Sequence, residues 1–141
     1  MKNFDIITIF PKIFDSYFNE SIIKRAQKNK LIKINIHDLR RFSTAKSIHK
    51  NVDDKPYGGG PGMILMVAPI YKALKSIKKK KNSRTIMLTP AGKKFTQREA
   101  ERLAKYEQLI LLCGRYEGFD ARVDKLVDEK MLITAKWPSN E

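Results

Sequence analysis

Three short stretches carry the residue types and spacings that suit chemistry. Positions 58 to 62, inside Val52-Asp53-Asp54-Lys55-Pro56-Tyr57-Gly58-Gly59-Gly60-Pro61-Gly62-Met63, hold four glycines and one proline. Neither helix nor strand runs through such a segment, because glycine reaches positive φ freely and Pro61 fixes its own φ and pushes Gly60 towards an extended shape. Its bare backbone is suited to lie against a flat ligand, a base or another piece of chain. The second and third stretches, Thr89-Pro90-Ala91-Gly92 and Gly114-Arg115-Tyr116-Glu117-Gly118, each follow an apolar run. Glycine in each leaves main-chain amides and carbonyls open to the edge of a planar molecule, and Arg115 and Glu117 add one charge of each sign. Two ordinary strand-to-helix turns with an Arg–Glu surface pair are written with the same letters.

Several chemistries are excluded by spacing. Gly92-Lys93-Lys94 lacks the Ser/Thr of a phosphate-binding Walker loop, and the upstream glycine position is Met87. A dinucleotide fingerprint starting at Gly60 would need glycine where Leu65 stands. His37, His49 and Cys113 have no metal-site spacing, and no Ser-His-Asp or Cys-His pairing is legible. The glycine turns are left as a ligand edge without an evident reaction.

The chain of 141 residues is sized for one domain. Its 29 Lys and Arg against 15 Asp and Glu give a net charge of +14. Such a surplus calls for a polyanionic partner, nucleic acid ahead of a membrane, although Lys78-Lys79-Lys80-Lys81 also reads as a solvated run. A single cysteine allows no internal disulfide, and no apolar run reaches the ~20 residues of a membrane span. A cytoplasmic protein is expected.

Elements that would position the glycine turns follow from periodicity. Residues 4–10 form a short β-branched apolar strand, and Pro11 then opens a helix with an apolar face of Ile13, Phe14, Tyr17 and Phe18. Ser21 caps a second helix burying Ile22, Ile23 and Ala26. Residues 31–36 alternate as a half-exposed strand near a sheet edge, and residues 40–50 form a basic loop. Pro69 opens a helix with Ile70, Leu74 and Ile77 inward. Residues 84–89 are a strand broken by Pro90-Ala91-Gly92, and Thr96-Gln97-Arg98-Glu99 is a capping box for a helix burying Ala100, Leu103 and Ala104. The most apolar strand, 109–113, is central, and Asp120 caps a last helix burying Val123, Leu126 and Val127. Alternating strands and helices give an α/β fold with a mainly parallel sheet, whose ligands bind outside the strands' carboxyl ends.

Together, Ile9-Phe10-Pro11, the stretch 52–63, Leu88-Thr89-Pro90-Ala91-Gly92 and Cys113-Gly114-Arg115-Tyr116-Glu117-Gly118-Phe119-Asp120 resemble the bacterial tRNA (guanine-N1)-methyltransferases, in that family's order and spacing. The resemblance implies the SPOUT α/β-knot fold and a homodimer. It implies that S-adenosyl-L-methionine sits in the knot, with the tRNA anticodon arm lying across both subunits. The reaction implied is methylation of N1 of the guanine 3′ to the anticodon. Carried over by position, Met87, Leu88, Thr89, Pro90, Gly114, Glu117 and Ile133 would hold the cofactor. Asp53, Pro61, Gly62 and Arg115 would belong to the loops that meet the partner subunit and the target base. No metal site is expected, because the spacings of His37, His49 and Cys113 do not make one.

The resemblance covers residues 4 to 129 and is expected to end there. In place of the family's glycine-rich continuation stands Met131-Leu132-Ile133-Thr134-Ala135-Lys136-Trp137-Pro138-Ser139-Asn140-Glu141, of which Ile133 alone keeps its place. The expectation is therefore residues 1–141 as a truncated N-terminal domain with an incomplete knot. Trp137 would be exposed, the C-terminal tRNA-binding domain absent, and the catalytic aspartate beyond Glu141. Two functions remain: the methyltransferase, or a non-catalytic basic module for RNA binding or dimerisation.

Overall fold

The computed structural model describes residues 1–43, 53–54, 64–114 and 119–133. Five parallel strands make the sheet, in the spatial order β2-β1-β6-β5-β7. They are β1 (Lys2–Thr8), β2 (Ile32–Asp38), β5 (Ser83–Lys94), β6 (Gln108–Cys113) and β7 (Glu129–Leu132). A separate antiparallel ribbon pairs β3 (Asp53–Asp54) with β4 (Ile64–Leu65). The helices are α1 (Ile13–Phe18), α2 (Ser21–Lys28), α3 (Val67–Ser76) and α4 (Gln97–Leu103), with 3-10 turns at Leu39–Phe42 and Ala121–Leu126.

The expected α/β architecture is present, and β6 is its central strand. The reason lies in the side chains: β6 reads QLILLC, apolar on both faces, and only a strand covered on both sides tolerates that. Alternation sends Ile110 and Leu112 to one layer, where they meet Ile7, Met87, Ile70, Leu74, Ile77 and Val123 beneath α3. Leu109 goes to the other, with Ile86, Leu103 and Met131 beneath α4. β2 lies at one edge, as its weaker alternation required. Asp5 on β1 is buried near the strands' amino ends, where its carboxylate accepts hydrogen bonds from Gln108 Nε2 (2.8 Å) and Asn35 Nδ2 (3.2 Å) and faces His37 Nε2 at 2.9 Å.

Several expectations are corrected. Neither α1 nor α2 buries a residue: Ile13, Tyr17 and Ile22 are 57%, 68% and 72% exposed. These two helices touch chiefly each other and β2, so among the described residues their amphipathic faces find no second layer. Ser21 does not cap α2 with its side chain but begins it at φ 51°. Arg40 and Arg41 lie in a 3-10 turn capped by Asp38, not in a loop. α4 starts at the expected Thr96 cap and buries Leu103, but its other buried residue is Glu99, and Ala104 is exposed. Asp120 caps as expected, but the helix after it is 3-10 rather than α.

The largest departure is at β5, which continues through Pro90-Ala91-Gly92 to Lys94. It continues because β7, a strand absent from the sequence reading, pairs alongside it. Met131 is in register with both Leu88 and Lys93, so residues 89–92 are lifted from the ladder as a bulge.

Candidate functional site

The carboxyl edge of the sheet gathers the stretches singled out above. Leu88 on β5 pairs with Cys113 on β6, so the bulge at 89–92 emerges directly beside Gly114. In the bulge the Thr89 hydroxyl accepts from Ala91 N (3.4 Å), Pro90 and Ala91 are exposed, and Phe95 N closes it on Leu132 O at 2.8 Å. The ribbon is held at the same edge. Leu65 bridges Phe119, and Asp120 N donates to Leu65 O at 3.0 Å, which fixes β4 against the segment that follows Gly114. Asp120 is itself locked by Arg122, whose Nη2 lies 2.6 Å from its carboxylate and holds its pKa below the usual range.

Two glycines have steric duties here that the sequence did not reveal. A Cβ on Gly92 would lie 2.3 Å from Met131 N and 2.6 Å from Met131 C, inside the neighbouring strand's backbone. A Cβ on Gly114 would meet the Phe119 ring at 2.4 Å, a side chain that itself packs against the core. Glycine at 114 thus seats Phe119 as well as leaving its own backbone bare.

The expected cofactor residues divide between the two faces of the sheet. Met87 is 2% exposed and packs in the α3 layer, so only its main chain is available at the edge. Leu88 faces the α4 layer, where with Ile133, Phe95, Leu103, Leu111 and Phe4 it lines an apolar cavity of about 320 Å³. Met87 and Leu88 side chains therefore cannot line one pocket. Asp53 pairs through its backbone with Leu65. Pro61, Gly62, Arg115 and Glu117 lie outside the described residues, as do the rest of the glycine stretch 55–63, the basic residues 44–50 and Trp137.

Chemically, this edge offers main-chain groups outside a ladder and an apolar wall with few charges. Such a donor set fits a flat heteroaromatic group, recognised at its edge by amides and carbonyls and on its face by Leu and Ile. Among the described residues there is no group of three His, Cys, Asp or Glu that could hold a metal ion. Cys113 beside the bulge is no nucleophile at neutral pH, since burial pushes its thiol up to about 11.

The family model for tRNA (Guanine-1)-methyltransferase TrmD matches residues 1–135. The chain belongs to the tRNA (guanine-1)-methyltransferase family. The match runs past the break expected after Glu129 and takes in β7. Among its relatives, the tRNA (guanine-N(1)-)-methyltransferase of Dictyoglomus turgidum is 47% identical over 133 residues, covering 94% of this chain and 53% of the relative. The enzyme of the same name from Carboxydothermus hydrogenoformans is 50% identical over 130 residues, covering 92% and 50%. The crystal structure of tRNA (m1G37) methyltransferase from Aquifex aeolicus superposes with a TM-score of 0.82 at 36% identity, covering 96% of this chain and 61% of that one. The mainly parallel sheet with flanking helices is thus the SPOUT fold of this family. The chain spans about half the length of the curated relatives it matches.

Proposed function

We propose that this chain supplies the cofactor-binding half of a tRNA (guanine-N1)-methyltransferase. It would use S-adenosyl-L-methionine on the guanine 3′ to the anticodon. The supporting observation is convergence: the 89–92 bulge, the end of β6 at Gly114 and the ribbon carrying the glycine stretch meet at one carboxyl edge. In this reading the main chain of Met87, Thr89, Pro90 and Gly114 holds the adenosine edge. Leu88 and Ile133 supply an apolar wall, and Glu117 helps to position the donor. Asp53, Pro61, Gly62 and Arg115 serve the base and the partner subunit.

S-adenosyl-L-methionine supplies an electrophilic methyl group on sulfur when bound. The chain's own task is alignment, since an in-line displacement depends on holding the reacting atoms within contact distance on one axis. Guanine N1 keeps its proton until a base removes it, and the base must leave its stack to be reached. The resemblance to the family implies an aspartate for that step. A homodimer is supported by Ile13 and Tyr17, four residues apart on one exposed face of α1, with Phe10 also exposed just before the helix.

Titration calorimetry of the chain with S-adenosyl-L-methionine should give saturable heat with one site per chain. A folded chain that gives none up to millimolar cofactor would overturn the proposal. Methyl transfer to an unmodified tRNA transcript then tests the reaction itself.

A further inference from the structure

The lysine run enters the structure at the edge opposite the glycine turns. Lys80 N donates to Gln108 Oε1 at 2.7 Å, which pins the stretch after α3 to the beginning of β6. The 3-10 helix 121–126 also leads back to this edge, where Asp128 N donates to Thr85 O at 2.9 Å just before β7. Between α3 and this helix lies a groove of about 450 Å³. Leu74 and Leu126 line its floor, and Tyr71, Lys75, Lys79 and Lys125 stand around it.

Three features distinguish this groove from a merely solvated lysine face. Its charged walls are all of one sign, and the acids nearest in sequence are engaged elsewhere: Asp124 pairs with Lys130 at 3.1 Å and Asp128 accepts from Thr85 N at 2.8 Å. Lys79 and Lys125 form no ion pair among the described residues. Tyr71 is 48% exposed, and its ring carries Lys75 Nζ 5.5 Å from its centroid. A half-exposed aromatic plane among unpaired cations, over an apolar floor, is the composition that stacks a base while neutralising its phosphates.

We infer that this groove binds a single-stranded or unpaired segment of RNA. Tyr71 stacks a base, and Lys75, Lys79 and Lys125 neutralise the backbone. The groove lies along α3 and the 3-10 helix, apart from the bulge at 89–92 and from Gly114. The identity of the polyanion rests on the tRNA reading above. The groove adds an RNA contact made by residues other than those proposed to hold the methyl donor.

The test is filter binding of an unmodified tRNA transcript across about 50 to 200 mM salt. It compares the unaltered chain, the triple variant Lys75→Ala/Lys79→Ala/Lys125→Ala, and Tyr71→Leu. All four side chains are exposed, so thermal melts should coincide. The triple variant should lose at least about tenfold in affinity, and its log–log salt slope should become shallower by about 2. Tyr71→Leu should lose about tenfold with the slope unchanged. S-adenosyl-L-methionine titrations should be the same for all three proteins. Parental RNA affinity in the triple variant would overturn the groove while leaving the methyl-transfer reading to the cofactor titration. An unaltered chain that binds no RNA overturns the groove as well. If Tyr71→Leu binds RNA and heparin as the parent does while the triple variant loses both, the groove is a general polyanion surface and the assignment to RNA falls.

Discussion

At Gly92 a single hydrogen stands where any other residue would drive a carbon into the backbone of Met131. Backbone cannot rotate aside as a side chain does, so either the bulge at 89–92 or the β5–β7 pairing must move. At Gly114 the obstacle is the Phe119 ring, a side chain rather than a neighbouring strand's backbone. The two glycines look alike in the sequence and should behave differently. Gly92→Ala is expected to destabilise by about 2–3 kcal/mol, and Gly114→Ala by about 1 kcal/mol or less. Urea denaturation of the two variants checks the order, and a reversed ranking would contradict the packing described here. Gly114→Ala should nevertheless weaken cofactor binding out of proportion to its stability cost, because Gly114 stands in the proposed site.

Among the elements, β7 is the most dependent on side-chain support. It is four residues long and lies at the edge of the sheet. Glu129 at its start is gripped from two sides, by Arg84 Nε at 2.6 Å and by Arg102 Nη1 at 3.2 Å, and Arg102 also reaches Glu99 at 2.6 Å. The charge chain thus ties β5, β7 and α4 together. Burial raises the Glu129 pKa, but the hydrogen bonds from Arg102 and Arg84 outweigh it and leave the carboxyl below its ordinary 4.5. A depressed folded pKa contributes stability that is present above the unfolded value and is lost as pH falls through the folded one. Glu129→Gln should therefore cost about 1–2 kcal/mol at neutral pH, and its gap from the parent should close as pH drops below about 4.5. Denaturation series at pH 7, 5 and 3.5 test this, and a gap that stays constant into acid would exclude the ion pairs as its source. Because β7 flanks the bulge, the same variant should weaken S-adenosyl-L-methionine binding.

For the molecule as a whole, the decisive feature is an apolar face that no other described residue covers. The stacked pair Phe14 and Phe18, with ring centroids 5.5 Å apart, fixes α1 from within, and Phe10, Ile13 and Tyr17 point outward. A second copy is the occupant that the dimeric reading supplies. Ile13→Glu with Tyr17→Glu should convert a dimer to a monomer in sedimentation while leaving the circular dichroism unchanged. A chain that sediments as a monomer before substitution would remove α1 from the account. Opposite charge demands coexist on this surface, a neutral apolar face at α1 and a lysine-rich groove beside α3, and they suit two different kinds of partner.

Local chemistry in the sequence was enough for much of this. β6 declared itself central by being apolar on both faces, Thr96 and Asp120 marked caps through their short acceptor side chains, and the spacing of Ile70, Leu74 and Ile77 fixed the inner face of α3. Those features depend on residues within a few positions of one another, where periodicity and capping act. The glycine turns also marked the right edge of the sheet. What only the tertiary structure decided was what each segment meets. β5 reads as ending at Pro90 until β7 lies alongside it, and Met87 reads as a pocket residue until strand alternation turns it into the core. α1 reads as a buried helix until no layer arrives to cover it. Each depends on contacts between residues far apart in the chain, and a pattern of letters states that a side chain is apolar without stating which surface will receive it.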